Sequence, residues 1–560
     1  MASSPSPIEL LERYVTLTPF NISLAVAGFL FIFAFISANW NRNHAPALKD
    51  PIPYVWNAFQ YMTDQSAFLN RVRDTLRRHP IVSFHIGPMK FYMLKSPKSI
   101  QALFKTSPSI SSDKFMHMVF ENMMNMAPHD VDRFVQDTTG RLATPLPTSN
   151  LRPDGKEPKR YWAPYHKILH DNLFRASETN ELGVTYQRLF EDQLARFKIG
   201  EWTEDIKVRD FLYRDMFIAA TTAFCGPRVL QLSPDLIDVF WRHHEIAASL
   251  VYGLPKWLNK RALDLQAQFH GAARRFLEAA EFPDAETGTE EKEGWDEVWG
   301  SPANRELCRF FKKEGFEMRS QAGSMAITNV FGSNANSIPI AVWMMMHVVH
   351  DPALLAQIRE EVESVFVIDP ATGGKTLDIQ KMLALPLLQS VYTESLRMHM
   401  SINVTRQVIE PVMIEGYLLE KGAIIQGPAE IVHYEEDTWA EEGHPASEFW
   451  AERHIKYIEE VDEQTREKKT VRQFIMSGRA ADLFPYGGGV SMCPGRFFAK
   501  QEMMMTVALL VSRFDIEFVE WTNLEDGSKS DRPAQNHAKF IGGAAVPPDR
   551  DMKVRWKRLW

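Results

Sequence analysis

Between Arg13 and Arg42 no charged side chain occurs, and residues 20–40 form a predominantly apolar run of the length that crosses a bilayer as a helix. Glu9 and Glu12 precede the run, whereas a cleaved signal peptide starts basic and carries a shorter apolar stretch. Arg42 and Lys49 follow it, which predicts that everything downstream lies on the cytoplasmic side. Residues 1–45 are therefore expected to be a membrane anchor and residues 46–560 a single body, joined through the stiff linker of Pro46, Pro51 and Pro53.

Along the body, the pattern predicts a charged amphipathic helix over 67–80. Two short strands follow, 81–86 and 90–95, facing each other across the turn at Gly87 and Pro88. A methionine-rich segment occupies 115–126, an exposed Pro/Ser-rich loop 143–160, and a helix 161–170. Residues 181–275 carry several helical periodicities without a chemical signature, and 281–297 read as a solvated loop. A long apolar helix is expected from 314 to 350, which at 1.5 Å per residue spans roughly 50 Å. Pro339 cannot donate to the carbonyl of Ala335 and should kink that helix, leaving a polar notch beside Asn336 and Ser337. Read blandly, those two residues only cap an irregular turn. Further on, Glu394 and Arg397 share one helix face, a strand-rich stretch begins near Ile402, an apolar helix runs over 498–511, and 539–548 reads as a terminal hairpin. The fold class predicted is mainly α, of the α+β kind.

Composition narrows the function. A chain of 560 residues with 45% hydrophobic and 24% charged side chains can bury a large core. Its net charge of -8 argues against a general nucleic-acid binder. The three cysteines, Cys225, Cys308 and Cys493, are odd in number and far apart, so no disulfide framework is expected and the body belongs in a reducing compartment. One of them stands out. Cys493 lies in a loop with Gly487, Gly488, Gly489 and Gly495 and runs through Pro494 into a helix. Glycines allow backbone to approach a large flat group closely. A helix N-terminus and its N–H donors favour a thiolate. The sulfur reads as a metal ligand, against the blander reading of a buried structural cysteine.

The spacing Gly489, Cys493, Gly495, with Tyr486 ahead of it, resembles the haem-thiolate loop of the cytochromes P450, and the resemblance extends over about 51–560. It implies the P450 fold, with a long distal helix, a helix bundle and small β-sheets, and haem as cofactor with Cys493 on the iron. The family's usual propionate-binding Arg is replaced by Ser491, which leaves Arg406 as the expected propionate partner. Trp162 and His166 stand where the family often has a Trp and an Arg that grip a propionate. Asn336 and Ser337 occupy the positions of the acid and hydroxyl that relay protons, and Ser keeps a hydroxyl donor. The Asn/hydroxyl/Pro pattern and the missing Arg are most similar to the branch of sterol 7α- and 12α-hydroxylases and prostacyclin synthase.

Glu394, Arg397 and Arg453 are implied to form a buried network that supports the cysteine loop. Arg496 and Lys500 are implied to meet an acidic electron donor. No Gly-x-Gly-x-x-Gly stands between a strand and a helix, so electrons are expected from another protein, an NADPH-cytochrome P450 reductase. The function implied is oxidation of a lipophilic small molecule such as a sterol, terpenoid or other secondary metabolite, at the endoplasmic reticulum membrane. Two alternatives stay open: an isomerase or dehydratase acting on a peroxide without O2, and a haem-binding sensor without turnover.

Overall fold

The computed structural model describes residues 44–560 except 106–108, 147–158, 175, 252–256, 258, 281–293, 369, 371–373, 462–467 and 477–479. The expected membrane span at 20–40 lies outside the described residues, as do most of the loops expected at 143–160 and 281–297. Among the described residues no single helix is long and apolar enough to cross a membrane.

Helices dominate, and the sheets are small. The helices that matter below are α1 (Gln65–Leu76), α2 (Pro97–Phe104), α3 (Trp162–Leu173), α4 (Ala176–Leu194), α5 (Val208–Cys225) and α6 (Leu236–His244). They continue with α7 (Met318–His350), α8 (Pro386–His399) and α9 (Arg496–Arg513). Helices α4, α5, α7 and α9 pack on one another as the central bundle. The C-terminal part of α7 from Ser337 and the whole of α9 from Gln501 are buried almost all round, as expected of helices whose apolar residues follow no single stripe.

Strands β1 (Ile81–Ile86) and β2 (Met89–Leu94) form the expected hairpin, with Gly87 at φ +55° in its turn. They join β3 (Ile110–Ser111), β4 (Asn403–Val408) and β5 (Ile424–Pro428) in a sheet of order β1-β2-β5-β4-β3. This sheet carries Arg406, opposite Ile425, towards the end of α2 and the cysteine loop. A second sheet unites Trp202–Lys207, Phe514–Asn523 and Arg550–Arg558. The expected terminal hairpin at 539–548 is instead an irregular turn, pinned by bridges from Ala545 to Met400 and from Pro548 to Asn536.

The long helix begins at Met318, not at 314. The preceding helix, Pro302–Lys313, ends in a turn where Gly315 has φ +67° and the N–H groups of Gly315 and Phe316 bond the carbonyls of Lys312 and Phe311. That pairing is the Schellman motif, which stops a helix. The new helix then starts against the buried carboxylate of Asp130, which accepts from the Glu317 N–H at 2.9 Å and the Ser320 hydroxyl at 2.7 Å. Within α7, residues Met325–Phe331 are wound as π-helix, and a turn interrupts the helix at Ala335 and Asn336, four and three residues ahead of Pro339. An interruption thus stands where the proline is expected to act.

Burial also sets the acid limit of stability. Burial pushes the imidazoles of His243, His399 and His433 down to about 3, and that of His270 down to about 4. An unfolded histidine titrates near 6.5 (about 6.5), so below that pH the unfolded chain binds more protons than the folded one. Stability is expected to fall from about pH 6.5 towards pH 4, each histidine adding a slope of about 1.4 kcal/mol per pH unit. Urea unfolding followed by circular dichroism at stepped pH checks this. A midpoint that does not move between pH 7 and pH 5 contradicts it.

Candidate active site

The cysteine loop is shaped by what it packs against. A Cβ on Gly489, at φ +66°, would lie 2.0 Å from the Phe104 carbonyl, and one on Gly488 would lie 2.3 Å from the Phe104 ring. The close approach that these two glycines permit is therefore to the end of α2. Downstream, Cys493 is half-buried, whereas Cys225 and Cys308 are fully buried, the latter pushed up to about 12 by desolvation. Burial pushes the Cys493 thiol up as well. The N–H groups of Gly495 and Arg496 and the Arg496 guanidinium pull it the other way. The lowered thiol pKa expected from the helix terminus is thus outweighed by burial, and the donors that favour a thiolate are those at the start of α9.

Behind the loop lies the carboxylate network. Glu394 on α8 takes both arms of Arg397, at 2.8 and 2.7 Å, and the Nε of Arg453 at 2.8 Å, with all three side chains fully buried. The remaining arginine donors go to backbone: Arg397 to the carbonyls of His433 and Ala446 at 2.7 Å, Arg453 to those of Trp439, Pro445 and Glu448. Desolvation alone would raise Glu394. The hydrogen bonds of Arg397 and His454 outweigh it and hold the carboxyl well below its usual range. His433 connects this network to the loop. Its Nδ1 bonds the Arg397 carbonyl at 3.2 Å and its Nε2 accepts from the Phe484 N–H at 3.1 Å. Sequence pattern does not single out His433, which stands alone between short elements.

On the opposite side, α7 opens at one point. Gly332 is exposed in the middle of a buried helix, and a Cβ there would meet nothing nearer than its own helix's Ile327 carbonyl at 3.6 Å. Asn336, one turn on, is partly exposed, and its Oδ1 accepts from the Ala545 N–H at 3.1 Å. Ser337 turns elsewhere. It is buried, and its hydroxyl faces the carboxyl of Glu502 on α9. Desolvation pushes Glu502 up to about 8, and neither of its oxygens has a well-formed hydrogen bond. The two predicted residues therefore stand on different faces of the break, and Glu502 is a partner that the sequence reading missed.

A cationic cluster flanks the loop. Arg406 is buried and donates to the carbonyls of Thr405, Gly488 and Leu103 at 2.9, 3.1 and 3.3 Å. Desolvation, and then the charge of Arg141, push it down to about 10. Arg141 lies over the Trp162 ring at 4.7 Å, pairs with Asp113 at 2.9 Å and reaches the Ser491 hydroxyl at 3.5 Å. The Trp162 indole N–H is taken by the Phe134 carbonyl at 2.9 Å, so the ring serves as a platform for Arg141. His166 is half-buried and bonds the backbone of Val490 in the cysteine loop. Arg141 is a further missed residue; it lies in a loop, where no periodicity marks it. Lys500, expected to be a free surface cation, is instead half-buried, bonded to Gln389 at 2.8 Å and pushed down to about 8 by desolvation.

These features fit a flat, dianionic, iron-bearing group. Two arginines share Asp113 as a neighbour, a half-buried cysteine stands just ahead of a helix start, and α7 is open at Gly332. Arg141 and Arg406 would hold the carboxylates of a haem, and Cys493 its iron.

A sequence profile described as cytochrome P450 matches residues 314–534. The chain is 44% identical to cytochrome P450 monooxygenase calL of Penicillium decumbens, over 94% of this chain and 96% of that one. It is 26% identical to cytochrome P450 monooxygenase efuG of Hormonema carpetanum, over 92% and 90%. Its fold is similar to that of the retinoic acid bound cyanobacterial CYP120A1, with a TM-score of 0.63 at 15% identity, covering 92% of this chain and 99% of that one. The helix-rich architecture with small sheets, the half-buried cysteine at a helix start and a relative this close over nearly the whole length lead to one conclusion: the chain belongs to the cytochrome P450 family, and is an oxygenase that carries haem ligated by a cysteine thiolate.

Proposed function

We propose that this protein is a membrane-anchored monooxygenase that hydroxylates a lipophilic small molecule, a sterol, terpenoid or other secondary metabolite, with Cys493 as the iron ligand. One oxygen atom of O2 enters a C–H bond and the other leaves as water, consuming two electrons and two protons. The observation that carries the reading is Cys493 itself, half-buried with two backbone N–H groups at its sulfur. When bound, the haem supplies the activation of O2, and donation from a thiolate favours O–O cleavage.

The chain's own residues do the rest. The Glu394 network and His433 fix the loop that presents the sulfur. Burial pushes the Glu502 carboxyl up to about 8, which favours its neutral form, and the Ser337 hydroxyl faces it. Asn336 presents its amide at the open side of the break. The likeness to relatives that are named monooxygenases supports O2 activation over peroxide isomerisation.

Arg141 and Arg406 are assigned to the propionates. Charge-assisted hydrogen bonds contribute roughly 1.5–3 kcal/mol each, so Arg141→Met and Arg406→Met are each expected to speed haem transfer to an excess of apomyoglobin by about 10- to 100-fold. Unchanged transfer rates would remove them from the site.

The anchor reading places the body on the cytoplasmic side of the endoplasmic reticulum membrane, with electrons from NADPH-cytochrome P450 reductase. Ile52, Tyr54, Val55 and Phe59 are each more than half exposed and lie within twenty residues of the apolar run at 20–40. Such a patch supports contact with lipid. The test is product formation by membranes containing the protein and a reductase, offered a terpenoid and sterol panel under labelled O2. Product carrying the label and depending on NADPH supports the proposal; turnover of a hydroperoxide without reductase sinks it.

A further inference from the structure

Helix α6 ends at His244, and this ring lies over the break in α7. Its surroundings are aromatic: Phe540 stacks on it at 5.2 Å and 20°, and Phe331 and Trp241 have their centroids at 6.0 and 5.4 Å. One ring nitrogen donates to the carbonyl of Ala335. That carbonyl is the one Pro339 leaves without a helical donor, so the histidine replaces the missing N–H and is held in a single orientation by it. Three chain segments meet here: the end of α6, the break of α7 beside the open Gly332, and the C-terminal turn that carries Phe540.

The second nitrogen has no protein partner among the described residues, and the residue keeps part of its surface exposed. Burial is the main cause that pushes the imidazole down to about 4, and the charges of Arg209 and Lys539 act in the same direction. Glu245 pairs with Lys539 at 3.7 Å. A neutral imidazole that donates from one nitrogen must accept at the other. An acceptor in an aromatic box, fixed by a bond to the break of α7, can satisfy one donor on an otherwise apolar molecule.

The geometry points to His244 as a specificity residue that accepts a hydrogen bond from a hydroxyl on the lipophilic substrate and so sets its orientation beside the break of α7. This rests on the monooxygenase reading above and names the substrate class more closely: a largely hydrocarbon molecule that already bears a hydroxyl. The reaction supplying it must therefore be an earlier hydroxylation, hydration or ketone reduction.

The test is binding, not turnover, so it needs neither reductase nor product. The full-length protein in detergent is titrated with matched polycyclic terpenoid and sterol pairs, each an alcohol and its methyl ether, and the haem spin-state change gives Kd. In the wild type at least one alcohol is expected to bind about tenfold more tightly than its ether, a difference that in H244F falls to about twofold or less. H244Q, which keeps an acceptor, is expected to retain most of the preference. The reduced carbon monoxide spectrum of each variant verifies an intact site. A failure of that spectrum in the wild type would overturn the haem-thiolate reading, whereas an alcohol preference undiminished in H244F, or no alcohol preference anywhere in the panel, overturns the role of His244 alone.

Discussion

Replacing Cys493 by alanine is expected to abolish the long-wavelength Soret band of the reduced carbon monoxide complex and all monooxygenation, with the polypeptide still folded. Neither of the other cysteines can stand in. Cys225 lies inside α5 and Cys308 inside the helix Pro302–Lys313, both fully buried, and desolvation holds both thiols far above the pKa of an accessible one. At position 493 burial also raises the thiol, but there the N–H groups of Gly495 and Arg496 and a nearby guanidinium oppose it and would favour a negative sulfur on a metal. The loop's shape does not depend on the thiol. It is set by glycines against Phe104, by the Cys493 N–H on the Tyr486 carbonyl at 3.0 Å and by Arg406 on the Gly488 carbonyl. Loss of spectrum with an unchanged far-ultraviolet circular dichroism curve is therefore the expected pair of results. A variant that keeps the band would show that another residue holds the iron.

Glu394→Gln should carry the largest cost in stability. The carboxylate compensates Arg397 and Arg453 at once, and removing one partner of a buried charge network costs about 3–5 kcal/mol. Arg397 and Arg453 retain their carbonyl partners, so the fold keeps its topology, but two guanidinium charges stay buried without an anion. The loss reaches the cysteine loop through His433, whose two nitrogens bridge the Arg397 carbonyl and the Phe484 N–H. The measurement is equilibrium unfolding followed in parallel by circular dichroism and by haem absorbance. The haem signal is expected to fail first, since the loop loses its support before the bundle of α4, α5, α7 and α9 does. A change below about 1 kcal/mol would place the pair in the inexpensive class of surface bridges.

How much of this was legible in the sequence depended on whether a signal was local. The β1–β2 hairpin, the Cys493 loop and the Glu394–Arg397 pair are written within a few residues of one another, and the structure brings them where the pattern placed them. Pro339 announced the interruption ahead of it because the missing N–H is a property of one residue. The start of α7 was misread because apolar periodicity runs straight through Gly315, where a left-handed turn interrupts it. Which faces Asn336 and Ser337 present was not readable either. A π-wound segment from Met325 to Phe331 followed by a break rotates every later side chain away from a 3.6-residue count. Arg141, His244, His433 and Glu502 owe their roles to partners distant in the chain. Their meaning is created only when the helices pack, as is the half-burial that removes Lys500 from the free surface.

The central claim is a bond between the sulfur of Cys493 and a haem iron. X-ray absorption at the iron edge of the purified full-length protein tests it most directly. One sulfur neighbour of iron in the wild type, lost in Cys493→Ala, is the predicted result. Iron surrounded by nitrogen and oxygen alone in the wild type, or a sulfur that persists in the variant, would contradict it.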